Sequence, residues 1–207
     1  MTLKMYWDPL AGRLGIPAGL SGPVHLALLA CYGSRDRHYH NLNHLAALLE
    51  DISQHPDVWE DRDSAELAAW FHDAVYDPLR PDNEAQSARM AGEQLAAWGL
   101  PPARLARIQR LILATRHLDE APEDPDEALL RDLDLAVLGG TPDAYQAYAG
   151  AIRREYSVVP EAAYRAGRSQ VLARFLARTA IYRTQACQDR YEAAARRNLA
   201  WELDSLR

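Results

Sequence analysis

The sequence predicts an all-α protein. Apolar residues recur three and four positions apart almost throughout the 207-residue chain, and no stretch alternates convincingly with period two. Its 48% hydrophobic content, without internal repeat or low-complexity linker, suffices for one core of ordinary size, so a single domain over 1–207 is expected.

The elements follow in order. An irregular opening holds a short helix at about 10–14, and a helix over about 23–32 is stopped by Gly33. Leu42, Leu45, Leu48, Leu49 and Ile52 carry the next, which ends before Pro56. Asp63 and Glu66 have capping-box spacing and open a helix through Leu67 and Phe71 to the pair His72-Asp73. Pro78 and Pro81 mark a loop, after which a helix over about 83–98 stops at Gly99. Another covers about 101–115, and the acidic, proline-containing stretch 118–125 is a surface loop. A helix over about 126–138 stops at Gly139-Gly140, and Thr141-Pro142 pairs an N-cap with a first-turn proline for its successor. Segments at about 160–187 and 188–206 complete the chain.

Charge and cysteine usage narrow the function. With 23 Lys+Arg against 29 Asp+Glu the formal charge is 23 − 29 = −6, and the basic residues are scattered, which argues against nucleic-acid binding through a broad positive face. A small anionic substrate stays compatible, because a bound cation reverses the local field. Cys31 and Cys187 fit neither a disulfide framework nor a zinc ribbon and read as two buried thiols. Asp8, Pro9, Gly12, Arg13 and Pro17 break up the first twenty residues, so neither a signal peptide nor a membrane span is expected there, and the expected location is cytoplasmic.

The chemistry is concentrated in two places. One is the run Arg37-His38-Tyr39-His40-Asn41-Leu42-Asn43-His44, in which His40 and His44 are four apart and would share a helix face. The other, 28 residues after His44, is His72-Asp73, where an apolar helix end abruptly presents two polar residues. Burying them unpaired would cost several kcal/mol, so they bond neighbours or bind a cation.

His44, then His72-Asp73, then an Asp in a later helix resembles the H…HD…D pattern of the HD superfamily of metal-dependent phosphohydrolases. The run 37–44, Phe71-His72-Asp73-Ala74-Val75-Tyr76-Asp77, Asn83-Glu84 and the segment 132–139 are similar to a bacterial subgroup of predicted HD phosphohydrolases, and the likeness covers most of the chain. It implies an HD-type helical bundle with a C-terminal helical extension, and a metal held by His44, His72, Asp73 and Asp134. Such mixed imidazole and carboxylate ligands suit Mn, Fe, Co, Ni or Zn better than Mg.

The implied activity is hydrolysis of a phosphomonoester or phosphodiester, on a nucleotide or another small phosphorylated metabolite. Two other readings stay open: a non-catalytic module that keeps the metal and senses a nucleotide, and a dinuclear-iron oxygenase. A homodimer is also left open. Asp77 is the candidate acid/base, lying five residues after His72, where related pyrophosphohydrolases carry the second residue of a Glu-Asp pair, although Tyr76 replaces the Glu. Glu84 is the alternative, with a helix N-terminus as its other explanation. His117 is either a site residue, as in two-metal relatives, or a cation at a helix C-terminus. Arg37, His40 and Arg116 are the cations expected near a substrate phosphate. Asp132 and Asp134 point about 200° apart on one helix, and the apolar stripe of Leu130, Val137 and Leu138 favours Asp134 as the ligand, leaving Asp132 a supporting or surface role.

Overall fold

The computed structural model describes residues 3–117 and 120–207; Leu118 and Asp119, at the start of the expected 118–125 loop, lie outside the described residues. The fold is all-α, with no strand among the described residues. In chain order the helices are α1 (Lys4–Arg13), α2 (Ala18–Tyr32), α3 (Leu42–Gln54), α4 (Arg62–Phe71), α5 (Asn83–Leu95), α6 (Pro102–Ala114), α7 (Pro125–Asp134), α8 (Pro142–Glu155), α9 (Glu161–Ala177), the single turn α10 (Gln185–Cys187) and α11 (Ala193–Ser205). The chain divides into two compact units, Met1–Leu130 and Arg131–Arg207. No described helix is long and apolar enough to cross a membrane.

The first unit is built around α4. Ala65, Leu67, Ala68, Ala69, Trp70 and Phe71 are all fully buried, and a helix apolar on every side belongs in the middle of a core. It packs against α1, α3, α5 and α6, with Leu45, Leu48, Leu49 and Ile52 from α3 and Ile108, Leu111 and Ile112 from α6 buried. Each such side chain contributes roughly 1.5–3 kcal/mol when fully buried, so the helix leading to His72 is held by packing rather than propensity.

The cap of α4 is not the expected one. Asp61, two residues before Asp63, accepts from the Ser64 N–H at 3.2 Å and the Ser64 hydroxyl at 2.6 Å, while Asp63 accepts from Arg13. Asp61→Ala should therefore cost about 1–2 kcal/mol, and Asp63→Ala, which removes a partly exposed ion pair, less than about 1 kcal/mol. Urea unfolding of the two variants checks this order.

Helices α1 and α2 start earlier than expected, and each runs through an internal proline, Pro9 and Pro23. A proline removes one helical hydrogen bond and crowds the preceding turn at about 3 kcal/mol. Burial of Tyr6, Trp7, Leu10 and Ala11 on α1, and of Val24, Leu28 and Tyr32 on α2, offsets that. Of the two thiols, Cys187 is buried as expected, whereas Cys31 is only half-buried.

In the second unit α11 packs on α8, α9 and the turn Ala136–Gly139, where Asn198 donates to the carbonyls of Leu138 (2.9 Å) and Gly140 (3.0 Å). Gly139 is required by closeness rather than as a helix stop, since a Cβ there would come within 2.5 Å of Tyr191 Cβ. The buried Glu202 carboxylate accepts two bonds from Arg168, at 2.8 and 2.9 Å, and one from the Tyr145 hydroxyl at 2.5 Å. Residues 178–184 interrupt the 160–187 segment, a break the sequence left open; Asp132 holds Arg183 and Thr184, Glu192 accepts from the N–H groups of Ile181 and Tyr182, and Arg196 donates to the Arg178 and Thr179 carbonyls.

Candidate metal centre

Two short stretches of the first unit supply the centre. Asn41 caps α3 by accepting from the Asn43 N–H at 2.9 Å, and this places His44 in the first turn of that helix. The α-helical run of α4 ends at Phe71, so His72 and Asp73 emerge from the most buried helix of the unit. His72 is 1% exposed and His44 8%.

The His72 ring is set by the backbone. Its Nδ1 lies 2.7 Å from the Ala69 carbonyl oxygen, and because a carbonyl only accepts, Nδ1 carries the proton and Nε2 keeps its lone pair. That Nε2 lies 3.0 Å from His44 Nε2 and 3.0 Å from Asp73 Oδ2, and the third side of the triangle, His44 Nε2 to Asp73 Oδ2, is 3.7 Å. At ligand bonds of about 2.1 Å, a first-row metal ion holds neighbouring ligands about 3.0 Å apart at right angles and about 3.4 Å apart at tetrahedral angles. The triangle brackets those spacings. A single cation there would engage two buried imidazoles and a partly buried carboxylate at once, so His44, His72 and Asp73 could hold a metal ion.

Aromatic side chains surround the triangle. His40 stacks on Tyr76 with ring centres 4.2 Å apart and sits edge-on to His44 at 5.9 Å, while Tyr39 lies 4.9 Å from His44. Tyr32 is fully buried beneath it; its hydroxyl accepts from the Asp73 N–H at 3.1 Å, and burial holds the phenol protonated far above its ordinary range. Sequence reasoning missed Tyr32, though a tyrosine closing the apolar face of α2 needed a polar partner.

Other residues assigned from sequence are placed differently. Asp77 is exposed, and its Oδ1 accepts from the Leu79 N–H at 2.9 Å, closing a turn that Asn83 braces from both sides. Glu84 lies half-buried in the first turn of α5, and Arg116 is exposed beyond α6. His117 adopts left-handed backbone, φ 52°, the only non-glycine residue described to do so.

Asp132 and Asp134, in the last turn of α7, belong to the second unit. Asp132 is 1% exposed, which corrects the surface role left open for it. Its Oδ1 accepts from the Arg183 N–H and its Oδ2 from the Thr184 N–H and hydroxyl, all at 2.7 Å. Burial pushes its pKa up while these bonds pull against that shift. Asp134 is the last residue of α7 and is half-buried. Protein-family models, curated proteins and solved structures were each compared with the chain, and none matches it.

Proposed function

We propose that the protein is a metal-dependent phosphohydrolase of the HD type, acting on a nucleotide or another small phosphorylated molecule. The observation that carries the reading is the triangle of His44 Nε2, His72 Nε2 and Asp73 Oδ2, with sides of 3.0, 3.0 and 3.7 Å. Asp134 is proposed as a further ligand, supported by its place in the H…HD…D pattern and by the commitment of Asp132 elsewhere. Two imidazoles with carboxylates favour Mn, Fe, Co, Ni or Zn. An ion of this kind, if held there, would supply Lewis-acid polarisation of a phosphoryl oxygen and a lowered pKa for bound water.

The chain's own residues do the rest. The Ala69 carbonyl fixes the His72 tautomer, Tyr32 holds the Asp73 peptide, and the rings of Tyr39, His40 and Tyr76 narrow access of water around His44. His40 and His117 are proposed at the substrate phosphate, with Arg116 as an outer cation.

Asp77 is proposed as the group that orients water or moves a proton, with Glu84 in reserve. Asn can form the same side-chain turn as Asp, so Asp77→Asn keeps the bond from Leu79 and removes only the charge. Turnover should fall by ~10²–10⁴ with metal content unchanged. Wild-type turnover in that variant would end the assignment. The function itself is tested by loading metal-free protein with Mn, Fe, Co, Ni, Zn or Mg and measuring phosphate release from a panel of phosphorylated metabolites. Metal-dependent release supports the reading; bound metal with no release from any of the panel counts against it.

A further inference from the structure

Arg37, assigned from sequence to a substrate phosphate, is turned onto the backbone instead. Its Nη1 donates to the Asp73 carbonyl at 2.5 Å and to the His40 carbonyl at 3.2 Å, and its Nη2 to the Ala74 carbonyl at 2.9 Å. The guanidinium carbon lies 5.2 Å from the Tyr32 ring centre and 5.7 Å from that of Tyr76. The Asp73 and Ala74 carbonyls lie in the turn just past α4, outside its hydrogen-bond ladder, and backbone carbonyls there need donors that a guanidinium fork supplies.

Two features make this more than a loop anchor. The Asp73 peptide is held on both sides, its N–H by the Tyr32 hydroxyl and its carbonyl by Arg37. Arg37 also lies in the segment that leads into α3, which carries His44. One side chain thus ties the strand of chain before His44 to the corner bearing His72 and Asp73, 36 residues away.

We propose that Arg37 is a positioning residue for the metal centre: it sets the spacing of His44 against His72 and Asp73 and does not contact substrate. The proposal rests on the metal reading above and adds to it the element that preorganises the ligands. A Lys at this place would keep the charge, but it has no rigid fork to reach three carbonyls in two directions.

The test is a Co(II) titration of metal-free wild type, Arg37→Gln and Arg37→Lys, followed by visible absorption, with far-UV circular dichroism and melting temperature recorded for each. The expected result is a roughly 10–100-fold weaker Co(II) affinity and an altered ligand-field band in Arg37→Gln, with helicity retained. Arg37→Lys should recover only part of the affinity, and it serves as the decisive variant where Arg37→Gln fails to fold. Wild-type affinity and band shape in Arg37→Lys would overturn the proposal. So would unchanged Co(II) binding combined with weakened binding of inorganic phosphate to the Co(II) form, which returns Arg37 to the substrate. Wild-type protein that takes up no Co(II) overturns the metal reading and this proposal with it, and is distinguished from the other failures by the wild-type arm alone.

Discussion

His72→Ala should yield a folded helical protein that has lost its bound metal and its turnover. His72 Nε2 is the corner at which both 3.0 Å edges of the triangle meet, so its removal takes away both edges and leaves His44 and Asp73 3.7 Å apart. Removing a supporting residue around a metal typically costs about 10–100-fold in affinity, and loss of a direct ligand should exceed that. The fold survives because the side chain's own bond to the Ala69 carbonyl contributes on the order of 1–3 kcal/mol, a fraction of the ~5–15 kcal/mol typical of a folded domain. Elemental analysis reads the effect, and equal metal in variant and wild type would contradict the assignment.

The largest loss of stability is expected from Asp132→Ala. Three donors, the N–H groups of Arg183 and Thr184 and the Thr184 hydroxyl, converge on this buried carboxylate. Leaving each without a partner costs about 1–3 kcal/mol, so a total near 5 kcal/mol is expected, or roughly 10–20 °C in melting temperature. Asp134→Ala should do the reverse, losing metal with little change in melting. Thermal unfolding and metal titration of the pair separate the two roles; tight metal binding in Asp134→Ala together with its loss in Asp132→Ala would exchange them.

Much of this was legible in the sequence because some constraints leave periodic or abrupt marks. The all-apolar turn before His72 announced a buried helix end, and the 200° between Asp132 and Asp134 forced a choice between them. The bonds that finish the site leave no such mark. Arg37 and Tyr32 act on the backbone of Asp73 and Ala74, and a carbonyl or an N–H has no residue identity to read. Asp132 likewise binds main-chain groups about fifty residues away, which is why it read as a supporting or surface residue. Pro9 and Pro23 misled for a different reason: local propensity argued for helix ends where tertiary burial carried the helices through.

The account stands most directly on whether the wild-type chain binds a metal through these residues. Metal-free protein titrated with Co(II) should take up at least one ion per chain, with an absorption band of mixed nitrogen and oxygen ligation that does not form in His44→Ala or His72→Ala. A wild-type protein that retains no Co(II) after gel filtration, or a band that persists unchanged in both variants, would contradict it.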